Sequence, residues 1–155
     1  MKREVAAIAI ATALLTIPAA VPASAMECVA YAKSVTQINL RGDAWKWWDA
    51  ASGEYSRGHV PHMGAIMVFD RTKHMRHGHV AVVVDLISNR EVLVDQANWA
   101  AGKHNKGKVS TAVSVVDVSD KNDWSQVRVR WKDSPDYGRD NPVRGFVYST
   151  PESQG

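Results

Sequence analysis

The sequence contains a single cysteine, Cys28, among 155 residues. One thiol excludes an internal disulfide bridge, because a bridge needs two partners. After residue 25 no apolar run approaches the roughly 20 residues that a membrane-spanning helix requires, so no later segment is expected to cross a membrane. The formal net charge is only +3, which is too small to indicate a nucleic-acid partner but would suit an anionic polymer such as a cell wall.

Residues 1–25 are predicted to be a secretory signal peptide. They have a charged start, an apolar run from Val5 to about Ile17, and a small-residue end with cleavage expected after Ala25. Pro18 interrupts the run too early for a membrane anchor. Cleavage would leave one domain, residues 26–149, and a flexible C-terminal tail, residues 150–155. We therefore expect a periplasmic or secreted protein.

The hydrophobic pattern predicts an α+β fold with helices first and strands after. Apolar residues recur at helical spacing over 27–36, and Asp43 is expected to cap a second helix over 44–51, with Trp45 and Trp48 in the core. Short β-branched stretches bounded by turn formers predict about six strands. They span residues 64–69, 79–85, 91–96, 109–118, 126–131 and 143–149. This order indicates helices packed on an antiparallel, partly barrel-like sheet.

The lone thiol of Cys28 has three interpretations: a buried bystander, an intermolecular bridge or a reactive group. Exported small domains that use cysteine for stability use it in pairs, and cysteine is often simply buried. However, Cys28 lies in the first turn of the predicted helix, where the positive end of the helix dipole lowers the pKa of a thiol. This position favours a nucleophile.

His79 is the candidate general base. It follows Gly78 and opens the apolar stretch VAVVV, so a strand would fix its backbone while its side chain lies at the rim of a cleft. Asp95, on the next predicted strand, is the candidate to orient the imidazole, as a third group does in nucleophilic triads generally.

This role for Asp95 depends on the register of the hairpin. A tight turn at Asn89-Arg90 would put Asp95 opposite Val84 and on the other face from His79. Unless a bulge restores the parity, Gln96 and Asn98 would then lie nearer to the histidine. Both are candidate polar groups of the cleft, and Trp99 is expected either to shield the site from water or to pack.

The order of these motifs resembles the CHAP family, the cysteine- and histidine-dependent amidohydrolases and peptidases. The resemblance rests on five segments in family order. They are Cys28-x-x-Tyr31, Gly42-Asp43-Ala44 followed by tryptophans, Pro61-x-x-Gly64, Gly78-His79-Val80-Ala81, and Asp95-Gln96-Ala97-Asn98-Trp99. Glu27 departs from the family pattern, since relatives often have Gln before the nucleophile.

The resemblance implies a papain-like fold and a bacterial peptidoglycan hydrolase that cleaves amide bonds in stem peptides or cross-bridges. It makes Cys28 the nucleophile, His79 the general base and Asp95 the orienting residue, with Trp99, Asn98 and Gln96 as binding residues. Peptidoglycan is then the partner; we expect no cofactor, no metal, no nucleic acid and a monomer. The oxyanion would need the Cys28 N–H and a second donor that the sequence does not identify.

Two other functions compete with this interpretation. The first is a non-catalytic wall-binding module that keeps the fold without the chemistry. The second is a metal site, because His59-x-x-His62 and His74-x-x-His77-x-His79 place five histidines in one stretch, and imidazoles bind zinc. The spacing matches none of the usual zinc motifs, and the positive charge of Lys73, in the same connector, would lie beside the metal cation.

Overall fold

The structure, a computed structural model, describes residues 27–100, 102, 104–131 and 133–151. The predicted signal peptide and the last four residues lie outside the described part of the chain. No helix within the described part is long and apolar enough to cross a membrane.

The described chain begins with short helical segments and continues with seven strands. The helical segments are α1 (Cys28–Val35), a 3-10 helix (Ala44–Lys46) and α2 (Trp47–Ala50). The strands are β1 (Tyr55–Gly58), β2 (Ile66–Phe69), β3 (His79–Ser88), β4 (Glu91–Ala97), β5 (Val109–Asp117), β6 (Gln126–Arg130) and β7 (Tyr137–Pro151).

Six of the strands close into an antiparallel barrel. The strand order is β7-β2-β3-β4-β5-β6, and β6 pairs back onto β7. β1 pairs with β7 outside this ring. The α+β class is therefore confirmed, and the predicted partly barrel-like sheet is a closed barrel. Closure gives each of the six strands a neighbour on both sides, which removes most of the free edge that an open sheet would present.

Apolar side chains are buried on both faces of the barrel wall. One cluster fills the interior and includes Met67, Phe69 and Val83. A second lies between the wall and the helical segments and includes Ile66 and Val80. Because alternate residues of a strand point to opposite faces, β2 is buried along its whole length. Residues 80–83 of β3 likewise alternate between the barrel interior and the helices.

The second helical region differs from the prediction. Asp43 makes no side-chain capping bond; its carboxylate contacts His77 Nδ1 at 3.2 Å instead. The helix is divided into a 3-10 turn and a single α-helical turn, so the tryptophans rotate away from regular helical spacing. Trp47 is fully buried, whereas Trp45 and Trp48 are only half-buried.

The sheet also contains strand residues that the sequence did not predict. β1 was not expected, and β7 begins at Tyr137, well before the predicted residue 143. β7 reaches Pro151, which pairs with Tyr55. The first two residues of the predicted flexible tail therefore belong to this strand.

Candidate active site

Cys28 is the first residue of α1 and lies against the start of β3. The Glu27 backbone is extended and its side chain does not cap the helix, so helical geometry begins at the thiol-bearing residue. Cys28 is half-buried and packs against the apolar cluster between the helices and the barrel. The first N–H groups of a helix lack backbone acceptors within it, and they can receive a developing negative charge.

Burial raises the pKa of the Cys28 thiol above its ordinary value, and the negative charge of Glu27 acts in the same direction. Backbone hydrogen bonds from Val80, Val29 and Cys28 itself oppose this effect but do not outweigh it. The lowered pKa predicted from the helix position is therefore wrong for the resting protein, because desolvation penalises the thiolate more than the N–H groups stabilise it. The resting thiol is protonated at neutral pH.

His79 lies on the interior face of β3, at the end of the barrel. It pairs with Phe69 of β2 and its side chain is buried. The rings of Phe69 and Trp99 flank the imidazole, with ring centroids 5.5 Å and 4.8 Å from it. Trp99 itself packs against the interior cluster, so it covers the imidazole and also contributes to the core.

Gly78 brings the 3-10 helix close to the start of β3. Its φ is +65°, and an added Cβ would lie 2.6 Å from the Cβ of Trp45 and 2.8 Å from the carbonyl oxygen of Phe69. A side chain is excluded at this point both by the backbone conformation and by the lack of space. Glycine is therefore required at the position immediately before His79.

The hydrogen-bond partner of the His79 ring is Gln96. His79 Nε2 lies 2.9 Å from Gln96 Oε1, and both side chains are buried. If the imidazole donates from Nε2, Nδ1 is the nitrogen that carries the lone pair. Gln96 Nε2 is buried without a hydrogen-bond partner in the described part of the chain. Such an orphan donor typically costs about 1–3 kcal/mol, and a group of this kind in a native fold calls for an explanation such as a functional role.

Burial lowers the pKa of His79 from its ordinary 6.5 to about 4, although the hydrogen bond to Gln96 acts in the opposite direction. The imidazole is therefore neutral at neutral pH. No hydrogen bond joins it to the Cys28 sulfur within the part of the chain that the structure describes. The resting pair is thus a neutral thiol and a neutral imidazole on adjoining elements.

Asp95 lies on the opposite face of the hairpin from His79. The turn at residues 89–90 is tight, and two irregularities in the β3–β4 ladder shift the register so that Asp95 pairs with Val82. Val82 faces the helices, and Asp95 does the same. Its carboxylate accepts a hydrogen bond from the Ala112 N–H at 2.8 Å and lies 3.5 Å from the Tyr31 hydroxyl. The structure brings Gln96, and not Asp95, to the histidine.

Asn98 connects the start of α1 to the loop that follows β4. Its Nδ2 donates to Glu27 Oε2 at 2.8 Å, and its Oδ1 accepts from the Gly107 N–H at 2.9 Å. The backbone of Asn98 has φ +60°, a left-handed conformation in which asparagine is enriched. The amide therefore positions Glu27, the residue next to the thiol. No pattern in the sequence predicts this contact.

The rest of the described surface adds no metal centre. In residues 27–100, 102, 104–131 and 133–151, no group of three or more His, Cys, Asp or Glu side chains could hold a metal ion. A cavity of about 460 Å³ between β5 and the segment after β6 has none of the predicted site residues in its lining. A second cavity, of about 330 Å³, includes Asp95 and Tyr31.

Comparison with models of protein families places part of the chain in a known family. The family model described as the CHAP domain matches residues 20–98, about half of the chain. The matched segment runs through α1 and the β3–β4 hairpin, so it includes Cys28, His79, Gln96 and Asn98. No curated protein sequence matches the chain.

Proposed function

Because the chain belongs to the CHAP domain family, we propose that it is a peptidoglycan hydrolase that cleaves amide bonds of stem peptides or cross-bridges. The family comprises cysteine- and histidine-dependent amidases and peptidases related to peptidoglycan. The observation that carries the proposal is the position of Cys28 at the first residue of α1, beside the backbone of Val80, the residue that follows the Gln96-bound His79.

The proposed reaction is acyl transfer to sulfur. As the Cys28 sulfur attacks the amide carbonyl carbon, its proton passes to Nδ1 of the neutral His79, and a C–S bond forms. The C–N bond then breaks while the imidazolium gives this proton to the leaving amine. Water, deprotonated by His79, next attacks the thioester, and the acid leaves with the thiol restored.

The pKa values favour a neutral pair over a preformed ion pair in this mechanism. A His79 with a pKa of about 4 is in its basic form throughout the neutral range, so it is ready to accept the thiol proton. The thiolate–imidazolium ion pair then forms only during attack, when the substrate carbonyl becomes an oxyanion. The Cys28 N–H at the start of α1 is the first proposed donor to that oxyanion.

In this proposal Gln96 takes the orienting role that the sequence suggested for Asp95. An amide oxygen on Nε2–H fixes the tautomer and the ring plane, as a carboxylate would, without adding a negative charge. This arrangement of a cysteine on a helix and a histidine on a barrel strand supports a papain-like relationship, which is part of the proposal. Trp99 excludes water from the imidazole.

The proposal includes export and action as a monomer. Residues 1–25 have the composition of a signal peptide, and the substrate lies outside the cytoplasmic membrane. N-terminal sequencing of the protein recovered from the periplasm or the medium should begin at Met26. Recovery only in the cytoplasm with Met1 intact would contradict export.

The direct test is digestion of purified peptidoglycan under reducing conditions, with products identified by mass spectrometry. We expect the native chain to release new amine and carboxyl termini, and Cys28→Ala to release none. Exposed Ser34 on the same helix offers a matched control, and Ser34→Ala should retain activity. Equal digestion by the native chain and Cys28→Ala, or digestion by neither, would contradict the proposal.

One observation favours the alternative of a non-catalytic wall-binding module, namely the raised pKa of the Cys28 thiol. A module of this kind would sediment with peptidoglycan without changing it, and Cys28→Ala would sediment equally. The digestion experiment separates the two functions, since only the hydrolase generates new termini.

A further inference from the structure

We propose that Asp95 and Tyr31 form a binding site for an ammonium group at the end of an aliphatic chain. The site deepens the proposed function and rests on it, because it assigns one part of the substrate: an amine-bearing side chain of a peptidoglycan peptide. The observation behind it is the half-buried carboxylate of Asp95, which the structure separates from His79 and turns toward a cavity beside α1.

The volume and the lining of the cavity suit a single side chain. Its volume of about 330 Å³ is at the lower end of the range for small-molecule pockets. Val35, Met63 and Val82 line it, and the first two are 51% and 66% exposed. Exposed apolar side chains at the rim favour a chain of methylene groups, because such a chain would cover them from water.

The polar end of the cavity has an uncompensated negative charge. Within the described part of the chain, no lysine, arginine or histidine lies within ion-pair distance of Asp95. Its Oδ1 accepts from the Ala112 N–H at 2.8 Å, but the Tyr31 hydroxyl is 3.5 Å from Oδ2. That contact is at the long limit of a hydrogen bond, so Oδ2 can accept a stronger donor.

Tyr31 can take part as a neutral oxygen ligand. Burial, followed by the charge of Asp95, raises the pKa of Tyr31 above its ordinary value, so the hydroxyl stays protonated. Its oxygen can accept one ammonium N–H while Oδ2 of Asp95 accepts another. Together the two groups offer the acceptors that a primary ammonium requires.

The cavity is close to the proposed nucleophile. Cys28 and Tyr31 are three residues apart in α1, which puts their side chains on one helix face about 4.5 Å apart along the axis. A peptide whose scissile carbonyl lies at Cys28 would therefore have a neighbouring side chain within reach of Asp95. The ammonium site would then help to select the bond that is cut.

Binding to the full chain carrying Cys28→Ala tests the site without any need for catalysis. The probes are a peptidoglycan-type tetrapeptide with lysine at its third position and the same peptide with norleucine, which lacks only the amine. By isothermal titration calorimetry we expect the lysine peptide to bind about tenfold or more tightly than the norleucine peptide. Adding Asp95→Asn should reduce this ratio to about one.

Asp85→Asn is the matched control, because Asp85 is an exposed carboxylate of the same hairpin and accepts a hydrogen bond from the adjacent Leu86 N–H. It should preserve the lysine preference. Tyr31→Phe should reduce the preference severalfold. If a thermal scan shows that Asp95→Asn does not fold, the Tyr31→Phe result is used in its place. An equal affinity for both peptides, no binding of either, or a preference that is unchanged by loss of the carboxylate or of the hydroxyl would overturn the site.

The results for this site and for the hydrolase are distinguishable. If every variant keeps the full preference for the lysine peptide while Cys28→Ala abolishes digestion, only the ammonium site is refuted. If the lysine preference depends on Asp95 but the native chain digests no peptidoglycan, only the catalytic proposal is refuted.

Discussion

Burial of His79 predicts that the protein loses stability as the pH falls below the ordinary pKa of histidine. In the folded chain the imidazole stays neutral down to a pH of about 4, whereas in the unfolded chain it takes up a proton near 6.5. Between these two values the unfolded state binds one more proton than the folded state. By linkage the free energy of unfolding therefore falls as the pH falls.

The size of this loss follows from the two pKa values. A shift from 6.5 to about 4 is roughly 2.5 pH units, and each unit corresponds to about 1.36 kcal/mol. His79 thus lowers the free energy of unfolding by roughly 3 kcal/mol in total. This loss is absent at a pH of about 7 and nearly complete at a pH of about 4. Because the side chain is fully buried, solvent screening reduces this figure little. Below 4 both states are protonated and the loss stops.

The assay is denaturant unfolding at several pH values between about 7 and 4, for the native chain and for His79→Gln. Glutamine does not titrate, so the native chain should lose roughly 3 kcal/mol more than the variant over this interval. His74→Gln, at an exposed histidine, serves as the control and should follow the native chain. Parallel pH profiles for the native chain and His79→Gln would refute the account of a buried neutral imidazole.

Three further predictions concern the site. Gln96→Ala should lower kcat/KM on peptide substrate by about 10- to 100-fold with little change in KM, because the imidazole loses its orientation. Gln96→Glu should raise, by about 1–3 units, the acidic pH at which half of the activity is lost, since a carboxylate favours the imidazolium. Unchanged kinetics and pH profiles would argue against the contact between Gln96 and His79. Iodoacetamide should alkylate Cys28 slowly at neutral pH and faster as the pH rises, because burial raises the thiol pKa; rapid alkylation near pH 6 would contradict this. Gly78→Ala should lower the free energy of unfolding by about 2 kcal/mol or more, owing to its positive φ and the contact with Trp45; a native melting temperature would contradict the packing described here.

Local pattern was sufficient to predict the strands that form the barrel wall. Runs of β-branched residues bounded by turn formers predicted β3 and β4 nearly to their ends. Barrel closure was not predictable, since it depends on β6 pairing with a β7 that begins earlier than its apolar stretch. The positions within the second helical region also depended on tertiary contacts, such as the bond between Asp43 and His77.

The partner of His79 shows why the site was harder to predict than the fold. Residue types and order indicated Cys28 and His79, but the third group depends on the parity of one hairpin. A tight turn made Gln96 the nearer residue, and the irregularities in the ladder moved Asp95 from Val84 to Val82. That shift of two positions kept the parity, so Asp95 remained on the outer face. Single-residue bulges of this kind leave no clear mark in the sequence.

If Cys28 carries the acyl group as a thioester during the reaction, that thioester can be intercepted by an added nucleophile. Native protein and Cys28→Ala would be incubated with purified peptidoglycan in the presence of hydroxylamine, and the released fragments analysed by mass spectrometry. We expect the native chain to yield fragments ending in a hydroxamate beside the ordinary acid, and Cys28→Ala to yield neither. Acid products without any hydroxamate, or the same products from both proteins, would contradict it.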